Sequence, residues 1–215
     1  MTIRVYLADD HTMLREGLSV LLQAHIDIKV VGMASNGRQA VQEIAALLPH
    51  VVIMDIAMPE LNGVDATKIL QKTAPATKTV ILSMYATKEH IFRALQAGAR
   101  GYLLKNSAGA ELVNAVRAVH NGQRYLGQKI PESLVEDYKY NRHAVSPLNA
   151  LSPREREVLQ LVAEGRSSVQ VAGMLCLSPK SVETYRSRLM QKIGVHDVSG
   201  LVKFSIQHGL ISLDY

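Results

Sequence analysis

The sequence predicts a two-part chain: an α/β domain on a doubly wound, five-stranded parallel sheet, followed by an all-α domain of four helices. Three observations carry this. Over about the first 120 residues, short runs of Val, Ile and Leu alternate with helix-length amphipathic segments. The alternation stops near Asn121, where Gly122, Gly127, Pro131 and Pro147 punctuate a polar stretch. From Ser152 onward the apolar spacing is helical throughout. A length of 215 residues suits two modest domains.

Taken in order, strands are expected over 3–8, 28–33, 51–54, 79–83 and 101–104. The third and fourth are nearly continuous in apolar residues, as strands covered on both faces should be. Helices are expected over roughly 12–24, 37–48, 63–73, 87–97 and 108–121, with Asn36-Gly37 before the second and Gly98 closing the fourth. In such a sheet, ligands gather outside the carboxyl ends of the strands. Residues 122–147 read as a linker with one short helix over 132–139. Ser152-Pro153-Arg154-Glu155 is a capping box with proline at the first helical position, and Gly165 ends that helix. Further helices are expected over 168–175, from Ser178-Pro179 to about Lys192, and over 198–207. The domains are thus 1–121 and 148–213.

Composition narrows the function. Hydrophobic residues make up 47% and charged residues 20%, a globular balance. The single cysteine, Cys176, excludes an internal disulfide and a multi-cysteine zinc site; beside Leu175 and Leu177 it reads as buried and inert. Lys and Arg outnumber Asp and Glu by 24 to 19, a net +5 that permits nucleic acid as a partner. No apolar run approaches the ~20 residues of a membrane span. The first apolar stretch runs straight into Asp9-Asp10, too short for a signal peptide, so a cytoplasmic protein without a membrane partner is expected.

Asp9 and Asp10 follow the first strand and Asp55 ends the third. Those strands are neighbours at the switch point of a doubly wound sheet, so the carboxylates converge. Like charges that close repel unless a cation sits among them, and oxygen ligands favour a hard ion such as Mg²⁺. Ser83 ends the fourth strand and Lys105 follows the fifth. Three carboxylates, a hydroxyl and an ammonium suit phosphoryl chemistry, with one Asp as nucleophile. His11 reads as a loop residue and Met84 as site-wall filler.

In the helical domain, Val182, Tyr185, Leu189 and Ile193 of the third helix share one apolar face. Lys180, Thr184, Ser187, Arg188 and Gln191 occupy the opposite one, with group sizes that reach base edges and phosphates. Lys180, Arg186, Arg188 and Lys192 against Glu183 make this helix positive, and the short helix and tight turn before it complete a helix-turn-helix pattern.

On these residues, 1–121 resembles the receiver domain of two-component response regulators, a CheY-like fold. Met54 to Gly63 is similar to its phosphoacceptor loop and Ala97 to Lys105 to its final strand. The resemblance implies that Asp55 accepts phosphate from a sensor histidine kinase. It further implies that Asp10 ligates Mg²⁺ directly, that Asp9 helps through water, and that the Ala57 carbonyl adds a ligand. Ser83 and Lys105 would hold phosphoryl oxygens, and Tyr102 would report occupancy by turning inward. Asn106 stands where many receivers carry proline. Ala57 and Tyr85, two residues beyond Asp55 and Ser83, offer no water-orienting amide or carboxylate, so a long-lived phosphorylated state is expected.

Residues 148–213 resemble the LuxR-type DNA-binding domain, and the whole chain is similar to NarL/FixJ-class regulators. The resemblance implies a phosphorylation-activated transcription regulator, not a turnover enzyme. It would dimerise when phosphorylated, bind double-stranded DNA at paired half-sites, and have RNA polymerase as a further partner. Two alternatives are weighed. One is a Mg²⁺-dependent Asp-nucleophile phosphatase, whose Asp-x-Asp loop the Asp9-Asp10-His11 spacing breaks. The other is a DNA-binding regulator whose receiver serves only in dimerisation.

Overall fold

The computed structural model describes residues 2–131 and 146–212. The first domain alternates β1 (Ile3–Ala8), α1 (Thr12–Gln23), β2 (Ile28–Ala34), α2 (Gly37–Leu47), β3 (Val51–Asp55) and α3 (Gly63–Thr73). It continues with β4 (Lys78–Ser83), α4 (Lys88–Gln96), β5 (Gly101–Leu104), α5 (Ala108–His120) and a short β6 (Tyr125–Leu126). All pair in parallel in the order β2-β1-β3-β4-β5-β6. β1 and β3 are neighbours, Ala8 beside Met54, so the order reverses where the acidic residues were expected.

Alternate strand residues point to opposite faces, and each face has its own core. Val52, Met54, Ile81 and Tyr102 pack under Ile44 of α2, Leu70 of α3 and Phe92 of α4. Val51, Ile53, Val80 and Leu103 pack under Leu22 of α1 and Leu112 and Val116 of α5. β6 lies in the stretch the sequence reads as linker. Gly101 pairs with Tyr125 and Ile130 joins the core, so the sheet domain runs past residue 121. The pairing is non-local and only two residues long, which leaves no periodic signal. The helix expected over 132–139 lies outside the described residues.

The second domain comprises α6 (Pro153–Ala163), α7 (Ser168–Leu175), α8 (Pro179–Ile193) and α9 (Val198–Gln207). Every one starts on a side-chain cap. Ser152 and Ser167 form full capping boxes with Glu155 and Gln170, while Ser178 and Asp197 accept from Ser181 and Gly200. Leu159, Val171, Val182, Leu189 and Leu201 close one small core among them.

The two domains touch through buried polar groups. The Arg156 guanidinium of α6 pairs with Asp65 of α3, Nε and Nη2 each 2.9 Å from Oδ1. Gln160 accepts from the Asn62 amide at 2.9 Å and donates to the Met58 carbonyl at 2.8 Å. At the far end, His208 meets Glu89 at 2.8 Å, Ser146 donates to Glu89 at 2.7 Å, and Arg93 donates to the His208 carbonyl.

Candidate functional site

The acidic residues converge as the strand order requires. Asp9 leaves the end of β1 and Asp55 ends β3, both buried. The Lys105 ammonium, just past β5, sits 2.9 Å from Asp9 Oδ2 and 2.9 Å from Asp55 Oδ2, bridging them. Asp55 Oδ1 accepts the amide of Ile56 at 2.7 Å, which fixes the carboxylate plane. Gly63 lets α3 begin against this point: a Cβ there would stand 1.9 Å from the Asp55 carbonyl oxygen.

Asp9, Asp10 and Asp55 against Lys105 leave excess negative charge in a small volume. Burial, with Asp9 and Asp10 adding to it, pushes the Asp55 carboxyl above the ordinary range although Lys105 opposes the shift. Burial pulls the Lys105 ammonium down, but Asp55 and Asp9 outweigh it and hold it charged. Asp9 Oδ2 is held by the Lys105 ammonium at 2.9 Å and Asp10 Oδ1 lies 2.7 Å from His11 Nδ1, which leaves the three carboxylates short of positive charge. Buried carboxylate oxygens in this condition suit a hard divalent cation. Ala57, whose carbonyl would be a further ligand, is buried two residues beyond Asp55.

Ser83 is fully buried at the end of β4, where its hydroxyl accepts the Tyr85 amide at 3.0 Å. The Tyr102 ring is turned inward, and its phenol donates to the Tyr85 carbonyl at 2.6 Å. Burial raises the Tyr102 phenol, and Ser83 beside it lowers it in part. Ser83, Tyr85 and Tyr102 thus form one knot at the edge of the acidic pocket. The Lys105–Asn106 bond is trans.

One expectation here is corrected. His11 is the exposed loop residue expected beside the acidic pair, and its Nδ1 lies 2.7 Å from Asp10 and 3.1 Å from Asp9. The Asp9 carboxylate accepts the His11 amide at 2.9 Å and draws the ring in, a local turn that spacing alone does not reveal. Met84 lines no wall; it is exposed, because the chain turns outward after Ser83.

On α8, Val182 and Leu189 are buried and Tyr185 and Ile193 pack against the same core, while Lys180, Thr184, Ser187, Arg188 and Gln191 are all exposed. The interdomain contact uses α6, so the outward face of α8 is uncovered. Thr184 donates its hydroxyl to the Lys180 carbonyl at 3.0 Å, leaving an oxygen lone pair and a methyl outward. Lys192, which the sequence counts toward the positive charge of this helix, pairs with the capping-box Glu155 at 2.7 Å. Cys176, expected buried, is exposed. It is the left-handed cap of α7 at φ 53°, which turns its side chain out of the core. Sequence reasoning also missed Asp65, Arg156 and Gln160, since a contact between domains has no local signature.

An αβ sheet with a lysine-bridged acidic pocket, joined to a helix-turn-helix bundle, defines a phospho-switch coupled to a DNA reader. Comparisons agree with that class. Residues 5–117 match the response regulator receiver domain, and residues 149–205 match the bacterial regulatory proteins of the luxR family. The chain belongs to the LuxR-type two-component response regulators, which regulate transcription in a phosphorylation-dependent way. It is 36% identical to the oxygen regulatory protein NreC of Staphylococcus haemolyticus, over 97% of this chain and 99% of that one. It is similar to the response regulator ChrA of a heme-sensing two-component system, at 35% identity and TM-score 0.53, covering 98% and 99% of the two chains. It also resembles RcsB, solved as two dimers bound to two parallel DNAs, at 25% identity and TM-score 0.60 over 97% and 99%.

Proposed function

We propose that Asp55 is the phosphoacceptor, that Lys105 and Ser83 receive phosphoryl oxygens, and that Asp9, Asp10, Asp55 and the Ala57 carbonyl hold Mg²⁺. The observation that carries this is the position of Lys105, equidistant at 2.9 Å from Asp9 and Asp55. A sensor kinase's phosphohistidine is the donor. An Asp55 oxygen attacks phosphorus, the P–N bond breaks, and the imidazole leaves with the bonding pair and takes up a proton. Asp55 Oδ1 is held by the Ile56 amide, which orients the carboxylate toward the donor. The Lys105 ammonium moves its contact from carboxylate to phosphoryl oxygen and balances the added charge. Bound Mg²⁺ would supply the remaining neutralisation of that charge.

Lys180, Thr184, Ser187, Arg188 and Gln191 are the DNA-contacting set, exposed on one face of a positively charged helix. One helix-turn-helix unit makes few base contacts, so two units on paired half-sites are needed, and the RcsB dimers on DNA are consistent with this. The protein acts as a cytoplasmic regulator without catalytic turnover. Acetyl phosphate and Mg²⁺ should add one phosphoryl mass and raise DNA affinity and dimer population together. Mass uptake without either change would refute the coupling.

A further inference from the structure

We propose that the edge of the sheet where the strands begin is a second DNA-binding surface, one that grips the phosphate backbone without reading sequence. It lies opposite the acidic pocket and is separate from the role given to α8. The distribution of charge points there first. Lys and Arg outnumber Asp and Glu by 14 to 10 over residues 1–131, acidic pocket included, but only by 8 to 6 over 146–215. The sheet domain thus holds more of the positive excess than the helical domain does.

All six strands run parallel, so all begin on one edge. Each begins beside a basic side chain, in spatial order Lys29, Arg4, His50, Lys78, Arg100 and Arg124. Backbone pairing makes the row continuous. Arg4 and Lys29 are register partners, the His50 amide donates to the Arg4 carbonyl at 2.9 Å, and the Lys78 amide donates to the His50 carbonyl at 3.0 Å. The Arg100 amide donates to the Thr79 carbonyl at 2.7 Å, and its carbonyl accepts from Tyr125, next to Arg124, at 3.0 Å. Lys29, Arg100 and Arg124 are exposed, and Arg4 and Lys78 partly so. The loops that lead into β2 to β6 hold one acidic residue, Asp27, and Arg117 takes both its oxygens at 2.8 Å. Among the described residues, the five Lys and Arg of the row form no ion pair. The repulsion is felt within the row: partial burial, with His120 at 5.1 Å and Arg4 beside it, pulls the His50 imidazole below its ordinary range. An anion at this edge relieves it.

The shape of the row selects the anion. With strands about 4.8 Å apart, it is narrow and about 24 Å long. That suits a rod of phosphates, of which it spans about seven base pairs. An anionic bilayer calls for a broad basic patch with several apolar anchors, whereas the large exposed apolar side chains on these loops are two, Ile26 and Leu48. The helix-turn-helix domain of the same chain also brings duplex DNA to high local concentration, so weak phosphate contacts count.

The test uses the full-length protein and a labelled duplex of mixed sequence, with binding followed by fluorescence anisotropy across a salt series. Lys78→Gln, Arg100→Gln and Arg124→Gln combined should weaken binding at low salt at least about tenfold and reduce the slope of log affinity against log salt by about three. Each single variant should reduce it by about one, which keeps the reading if the triple variant melts early. Lys129→Gln removes the same charge as Arg100→Gln but at the opposite edge, beside Asn106, and should leave the slope unchanged. Arg188→Ala should subtract its own unit in either background; loss of that effect alone would overturn the α8 contact and leave this edge standing. An unchanged slope in the row variants, or an equal loss in Lys129→Gln, would overturn the proposal. So would phosphatidylserine vesicles that bind the wild type and not the triple variant while duplex binding stays the same, which would make the edge a membrane surface.

Discussion

The Gln160 side chain, on the first helix of the DNA-binding domain, donates to the backbone carbonyl of Met58 at 2.8 Å, on the loop that follows Asp55. Its carbonyl oxygen accepts the Asn62 amide from the same loop, and Glu164 accepts the Glu60 amide one turn further on. The loop after Asp55 is therefore joined to α6 by direct hydrogen bonds, and α6 packs on α8 within one core.

Breaking the buried ion pair beside this contact should separate the domains. Burial alone would raise the Asp65 carboxyl, yet Arg156 holds it below the ordinary range. Removing one partner of a buried pair costs about 3–5 kcal/mol, because the other charge is left without compensation. Arg156→Ala should increase the radius of gyration by small-angle scattering in the unphosphorylated protein, while phosphoryl uptake at Asp55 persists. An unchanged radius would show that the remaining contacts hold the domains by themselves.

Asp55→Ala should take up no acid-labile phosphoryl group from acetyl phosphate, because no other carboxylate combines the Lys105 contact with the Ile56 hydrogen bond. Lys105→Met should retain cation binding and lose most of the phosphorylation rate, since it removes charge from the transferring oxygens. Intact-mass spectrometry reads both. A phosphoryl mass on Asp55→Ala of the same lability would reassign the acceptor.

The two kinds of contact on α8 should separate experimentally. Alanine at Lys180, Thr184 or Ser187 should shift the preferred half-site, as base-edge contacts discriminate by ~1–3 kcal/mol. Arg188→Ala should weaken all sequences alike and reduce the salt slope by about one. Lys192→Ala is the control the structure supplies: its ammonium is paired with Glu155, so it should lower the melting temperature more than the salt slope. Binding-site selection with a salt titration decides among these.

Acid should loosen the contact at the far end of the interface. The His90 ring stacks on Tyr85 at 4.5 Å, bonds Thr87 through Nδ1, and turns its buried Nε2 toward Gly209 of the second domain. Burial, with Arg93 nearby, pushes the His90 imidazole down to about 4. The unfolded ring binds its proton first, near pH 6.5. The stability contributed by neutral His90 is therefore complete above that pH and lost as pH falls toward 4. Melting curves across pH 7.5 to 4.5 should show a smaller decline in His90→Phe, which keeps the ring stack, than in the wild type. Parallel curves would remove His90 from the account.

Most of the architecture was legible locally. Alternating apolar runs placed β1 to β5 within a residue or so, because strands covered on both faces must be apolar along their length. The serine caps at Ser152 and Ser178 fixed two helix starts, since a cap bonds within three residues of itself. The acidic pocket was legible for a topological reason: a doubly wound sheet puts strand ends one and three together, so Asp9, Asp10 and Asp55 meet whatever lies between them. What the sequence by itself determined, then, is everything set by hydrogen bonds within a segment and by the chirality of strand connections. Tertiary structure alone decided the rest. It paired Lys192 with Glu155, exposed Cys176, added β6, and joined Arg156 to Asp65 across the domains. Each of these depends on a partner distant in the chain or on a single backbone torsion, and neither leaves a period or a spacing to read.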